Sequence, residues 1–191
     1  MKPALLIIDL QKDFFESVEL NAIQSDLVPK INILSGIIRE HGVPIIWVRQ
    51  EMKPDGSDAF IGDRKLGKRF VVAGTEGSKL LDGLDHQTYD LEIIKRRYSP
   101  FYKTNLDEML QALGIDTLII SGINTHACVR MAVIDAYQRD YEVILALDCI
   151  NSWDEEHHVV TIKYLSGKIS APMTNLQIKD FLEKDGSNIL P

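Results

Sequence analysis

The chain has little cysteine, a deficit of positive charge and no long apolar run. Its 191 residues hold two cysteines, Cys128 and Cys149, too few for a disulfide framework, so free thiols in a reducing, cytoplasmic setting are expected. The N-terminus has no signal-peptide apolar region. No apolar stretch approaches the ~18–20 residues that cross a bilayer, so no membrane association is expected. Lys and Arg number 21 against 28 Asp and Glu, a formal net charge of −7. That balance argues against a nucleic-acid or anionic-membrane binder, since both need basic patches. The basic cluster Lys65, Lys68 and Arg69 is expected to be a solvated, mobile loop. Histidines number five, His41, His86, His126, His157 and His158. The adjacent His157 and His158 point to different faces of a helix, a poor ligand spacing for a metal.

What is present is an ordinary globular composition, 45% apolar and 26% charged, enough for a single domain over residues 1–191. Continuous apolar runs recur at Ala4–Asp9, Pro44–Val48, Asp90–Ile94, Thr117–Ser121, Glu142–Leu147 and, more weakly, Lys168–Ala171. Runs of this kind suit parallel strands buried on both faces. Amphipathic stretches at Asp26–Glu40, Asn105–Leu113, Ala127–Arg139, Glu155–Ser166 and Asn175–Glu183 read as helices. Gly42 and Gly114 follow helices as C-terminal glycines do, Thr104 begins a capping-box-like start, and Asp154 is placed to cap Glu155 onward. Alternation of strands and helices implies an open α/β sheet with right-handed crossovers, which binds ligands beyond the carboxyl ends of its strands. From Gln50 to Thr88 no strong strand appears; a glycine-punctuated excursion this long is expected to cover an active site or a subunit contact.

Three complementary side chains stand at expected strand ends. Asp9 closes the first strand, Lys95 follows the third, and Cys128 follows the fourth where a helix should begin. A thiol at a helix N-terminus lies in the positive end of the macrodipole, which favours thiolate. Taken singly, Cys128 reads equally as a packed structural thiol, Asp9 as a turn cap, and Lys95 as part of the surface cluster Lys95-Arg96-Arg97. Together they read as a nucleophile, a base and an orienting cation. Cys149 reads as a packed, non-catalytic thiol.

Three motifs carry a resemblance across nearly the whole chain. They are Leu5 through Asp9, Gln11, Asp13 and Phe14; Lys95 through Ser99, Phe101 and Asp107; and Gly122-Ile123-Asn124-Thr125-His126-Ala127-Cys128-Val129, continuing through Asp135 to Asp148. In order and spacing they resemble the isochorismatase-like cysteine hydrolases, which include nicotinamidases, N-carbamoylsarcosine amidases and ureidoacrylate amidohydrolases. The resemblance implies a doubly wound, Rossmann-like three-layer sandwich with a parallel sheet of about six strands. It implies an Asp9–Lys95–Cys128 triad, a cis Ile123–Asn124 peptide, and an oxyanion hole made by the N–H groups of Asn124 and Cys128. It further implies a cofactor-free hydrolase that cleaves a C–N bond of a small-molecule amide, carbamoyl or ureido substrate through a thioester, and a homo-oligomer.

Departures from the family pattern narrow the reading. Nicotinamidases of this family carry an Asp-x-His metal motif after the second strand, whereas this chain reads Arg49-Gln50-Glu51-Met52 there. Isochorismatases that cleave a vinyl ether resemble the chain but typically lack the cysteine; ether hydrolysis, or a non-catalytic scaffold on the same fold, are the alternatives. Phe14, Phe101 and Trp153 match or neighbour pocket-lining positions, with core packing as their other reading and the heavier one for Trp153. His126 adjoins the cysteine loop, and Arg49 suits a substrate carboxylate or an internal salt bridge equally. The absence of the Asp-x-His motif predicts that EDTA leaves hydrolytic turnover intact; a loss that zinc or iron restores would show the opposite.

Overall fold

Continuous β-branched runs separated by amphipathic stretches fold into a layered α/β structure in a computed structural model, which describes residues 1–184. Residues 185–191, spanned by the single-domain expectation, lie outside the described residues. The strands are β1 (Pro3–Ile8), β2 (Ile45–Gln50), β3 (Leu91–Lys95), β4 (Thr117–Ile123), β5 (Glu142–Asn151) and β6 (Ala171–Met173). The helices are α1 (Val18–Glu40), α2 (Ile61–Lys65), α3 (Leu106–Ala112), α4 (Arg130–Tyr137), α5 (Glu155–Leu165) and α6 (Asn175–Glu183). All strand pairings are parallel, in the order β3-β2-β1-β4-β5-β6. Among the described residues no helix is long and apolar enough to cross a membrane.

Period-two alternation along the central strand divides the core into two layers. Leu5 and Ile7 of β1 pack with Leu27, Ile31, Leu34 and Ile38 of α1 and with Ile178 and Phe181 of α6. Ala4, Leu6 and Ile8 face the opposite layer, with Leu106 and Leu110 of α3, Ala132 and Val133 of α4, and Leu165 of α5. Each large side chain buried this way contributes about 1.5–3 kcal/mol. Trp47, fully buried in β2, still satisfies its indole N–H by donating to Asp90 Oδ2 at 2.9 Å.

Element boundaries depart from expectation in instructive ways. Helix α1 begins eight residues before Asp26, capped by Ser17, whose Oγ accepts from Leu20 N at 3.2 Å, and it runs through Pro29. A proline three residues beyond Asp26 resembles a first-turn residue, which hid the earlier start. Strands β2, β4 and β5 extend past the expected ends, because polar residues such as Gln50 and Asn151 still pair with Lys95 and Ile123. Strand β6 lies later than Lys168–Ala171; its Pro172 is tolerated because β6 is a sheet edge. The helices ending before Gly42 and Gly114 and the Asp154 cap are as expected. Thr104 forms no capping box: α3 starts one residue later than read, after Asn105, and the Thr104 hydroxyl accepts from Leu106 N while bonding Pro100 O.

The long excursion between β2 and β3 folds back over the carboxyl edge of the sheet. It carries α2 and a small apolar cluster of Met52, Ala59 and Val71 against Phe14 and Phe60. Gln11, fully buried, ties it down: its Nε2 donates to Gln50 O at 2.9 Å and Ser78 O at 2.8 Å, while its Oε1 accepts from Gln50 N at 2.8 Å. Lys65, Lys68 and Arg69 are exposed. At the opposite side of β1, Gly122 has φ +107° and a Cβ there would sit 2.1 Å from Ile8 O. Gly122→Ala is therefore expected to lower unfolding stability by about 2–4 kcal/mol, read as a fall in the urea midpoint; an unchanged midpoint would contradict this contact.

Candidate active site

Strand order reverses at β1, since β2 and β3 lie to one side and β4 onward to the other. A crevice opens beyond the carboxyl ends of the strands at such a switch point. The chain leaves β1 at Asp9 with φ +57°, a left-handed conformation that turns the carboxylate inward. Lys95, the last residue of β3, reaches across the end of β2. After β4 and a cis Ile123–Asn124 peptide the backbone makes a wide turn over Thr125–Val129, with Val129 N bonding Asn124 O at 3.2 Å. That turn, rather than the first turn of α4, carries Cys128.

The three expected side chains meet. Lys95 Nζ lies 2.7 Å from Asp9 Oδ2, 3.1 Å from Gln50 Oε1 and 3.4 Å from Cys128 Sγ. Asp9 and Lys95 have no exposure and Cys128 has 2%. Asp9 Oδ1 is buried without a hydrogen-bond partner among the described residues. Burial raises the Asp9 carboxyl above the usual carboxylate range, with the Lys95 charge opposing. For Lys95, burial favours the neutral amine, but the charges of Asp9 and Cys128 outweigh it and the net direction is upward. Burial, followed by the Asp9 charge, pushes the Cys128 thiol well above its ordinary value, against the pull of Lys95. These directions oppose the thiolate that a helix N-terminus would favour, since the thiol is desolvated and set in a short, irregular helix start. Burial and the Asp9 charge thus favour the protonated thiol, beside the Lys95–Asp9 contact.

The thiol forms the floor of a cavity of about 540 Å³, together with Gln50, Asn124 and Ala127. Its walls carry Phe14 and Phe70, in edge-to-face contact at 4.8 Å, and Phe60 and Tyr98 at 5.0 Å. His126 and Trp153 meet edge-to-face at 5.3 Å and complete the wall. Burial holds His126 below the usual imidazole range, and its Nδ1 contacts Ser152 Oγ at 2.5 Å. Asn124 Oδ1 accepts from Trp153 N at 3.2 Å, and Thr125 Oγ1 meets His158 Nδ1 at 2.8 Å. These bonds tie the cysteine turn to the end of β5 and to α5.

Phe14 and His126 line the cavity; two other expected pocket residues do not. Phe101 is a core residue, stacked on Tyr141 at 6.2 Å and lying beneath the Arg139 guanidinium at 4.7 Å. The turn before it, pinned by Ser99 to Asp135, points the ring inward. Arg49 is committed to Glu92, at 2.6 and 3.0 Å, and to Glu51, which removes it from the cavity wall. Trp153, read as a packing residue, is instead half-exposed on the wall. Cys149 is packed as expected, donating toward Lys30 O and Asn175 Oδ1, and burial pushes its thiol up to about 12.

Gln50 is a site residue not singled out from the sequence, although it ends β2 as Lys95 ends β3. The excursion residues Phe60, Asp63 and Phe70 had no local signal, because only the fold-back brings them over the thiol. Among the described residues no group of three or more His, Cys, Asp or Glu is arranged to hold a metal ion. At the end of β2, Gln50 is engaged by Lys95 and Glu51 by Arg49, so the donor set there does not fit a divalent cation.

The isochorismatase domain family matches residues 3–177. A protein of Arabidopsis thaliana named a probable inactive nicotinamidase is 34% identical over 169 residues, 83% of this chain and 85% of that protein. The crystal structure of an isochorismatase family protein from Desulfovibrio vulgaris superposes with a TM-score of 0.86 at 28% identity, covering 95% of this chain and 98% of that one. N-carbamoylsarcosine amidase from Thermoplasma acidophilum gives a TM-score of 0.78 at 26% identity, covering 92% and 97%.

The buried, neutral thiol has a measurable consequence. At pH 7.5 iodoacetamide should label Cys128 more slowly than it labels free glutathione, and the rate should rise with pH beyond the ordinary thiol range. Labelling faster than glutathione at neutral pH would indicate a resting thiolate.

Proposed function

The chain belongs to the isochorismatase family of hydrolases, which has amidase relatives, and from that premise we propose that it is a cysteine-dependent hydrolase of a small amide, carbamoyl or ureido compound. One isochorismatase-like domain would serve this role. The observation that carries the reading is the meeting of Asp9, Lys95 and Cys128 at the floor of an open cavity. The thiol is the one strong nucleophile on that floor, and acyl transfer is the chemistry that uses it.

In the proposed cycle the Asp9 carboxylate takes the Sγ–H proton as sulfur attacks the substrate carbonyl carbon. The raised basicity of Asp9 suits it to this transfer. Lys95, 3.4 Å from sulfur, stabilises the developing thiolate and keeps the carboxylate oriented. The backbone N–H groups of Asn124 and Cys128 would receive the tetrahedral oxyanion, a contribution of ~3–4 kcal/mol per donor in other hydrolases. Collapse breaks the C–N bond, and the departing amine leaves with the proton from Asp9. Water then attacks the thioester while Asp9 again accepts a proton, the C–S bond breaks, and that proton returns to sulfur. The Arabidopsis relative is named probable inactive; this chain retains the carboxylate, ammonium and thiol that the cycle requires.

Cys128→Ala and Cys128→Ser are expected to lower ammonia release from small amides and ureides by a factor on the order of 10³ or more, with far-ultraviolet circular dichroism unchanged. Full turnover by Cys128→Ala would exclude the thioester route and favour a thiol-independent hydrolysis such as that of a vinyl ether.

A further inference from the structure

The charge around the cavity is one-sided. Asp13, Glu16 and Asp63 all line it, and none of its lining residues is Lys or Arg. Among the described residues none of these three carboxylates joins an ion pair. Two nearby cations are engaged elsewhere. Lys12 bonds Glu76 and Asp82, and Arg97 stacks over Phe60 at 4.9 Å while donating to Asp58 O. Lys68 and Arg69 border a narrow adjoining cavity of about 20 Å³ that shares Gln50, Asp63 and Phe70 with the larger one. Lys95, beneath the floor, is paired with Asp9.

Between the carboxylates stand aromatic faces. The Phe14–Phe70 corner lies beside Asp13, and Phe60 precedes the helix that carries Asp63. Aromatic rings flanked by carboxylates outside any ion pair form a cage suited to a cation. The floor supplies a second, independent pointer to a ligand. Gln50 is 4% exposed and lines the cavity, yet its Nε2 has no acceptor among the described residues. Its carbonyl is held by Lys95, which leaves the amino group as a donor available to a ligand in the cavities that Gln50 lines. A hydrogen-bond donor and a nucleophile at the floor, and a cation cage toward the rim, describe two ends of one elongated ligand.

We infer that the substrate is an amide or ureide carrying a positively charged group, a quaternary or protonated amine, at the end distant from the scissile carbonyl. This deepens the hydrolase reading and rests on it. The carbonyl end lies over Cys128 and takes a hydrogen bond from Gln50 Nε2. The cationic end lies among Phe14, Phe70, Glu16 and Asp63, and a carboxylate in its place would face three like charges.

Three primary amides test this: a butanamide ending in trimethylammonium, its tert-butyl isostere, and the analogue ending in carboxylate. Ammonia release gives kcat/KM for each, and calorimetry with the Cys128→Ser protein gives binding without turnover. The cationic amide should exceed its isostere by about tenfold or more, and the anion should rank last. Asp63→Asn with Glu16→Gln should reduce the cation-to-isostere ratio by about threefold or more. Asp13 is left intact, because its Oδ2 accepts from Val71 N at 2.5 Å and holds the excursion. An equal or reversed ranking in both assays, or no binding of any of the three at millimolar concentration, overturns the inference. Ranked binding without turnover by the wild-type protein would instead overturn the hydrolase reading and leave the cation cage standing.

Discussion

A lysine ammonium and an aspartate carboxylate, both sealed from water, stand 2.7 Å apart at the carboxyl edge of the sheet. Neither could remain charged there alone, since removing one partner of such a buried pair costs about 3–5 kcal/mol. The pair therefore binds the ends of β1 and β3 to one geometry across the intervening β2. Gln50 fills the gap by accepting from Lys95, and the Gln11 side chain fixes the Gln50 backbone in turn. Cys128 is delivered to this assembly from the other side of the switch point. Its titration is governed by that pair and by burial, not by the helix that follows it.

The same pair explains why the thiol can be both buried and chemically useful. A free thiolate at this depth would be costly, so the resting proton stays on sulfur. A neighbouring carboxylate made more basic by the same burial stands ready to receive it. Desolvation thus acts on donor and acceptor together, and the Lys95 charge opposes it at the carboxylate. The cavity above contrasts with this floor. It is built from rings and carboxylates that belong to the excursion, the turn after β1 and the end of β5, elements far apart in the chain.

Much of this was legible in the residues themselves. Uninterrupted apolar runs identified the parallel strands, and Asp9, Lys95 and Cys128 stood out because polar chemistry appears abruptly where those runs stop. Boundaries were less legible: Pro29 disguised the start of α1, and polar strand ends such as Gln50 and Asn151 looked like loop although their backbones pair. Phe101 and Arg49 show the limit for individual side chains. Each occupies a position near the site in sequence, yet one ring turns into the core beside Tyr141 and the other side chain is captured by Glu92 and Glu51.

By itself the sequence determined the layered α/β class, the parallel strands and the three residues that converge, because periodicity and strand-end polarity are local properties. Only the tertiary structure decided the burial of Cys128, the loss of Phe101 and Arg49 from the pocket, and the recruitment of Phe60, Asp63 and Phe70 to it. Those outcomes depend on burial and on which distant segments are brought within a few ångströms. Desolvation and through-space charge act across contacts that no stretch of sequence contains.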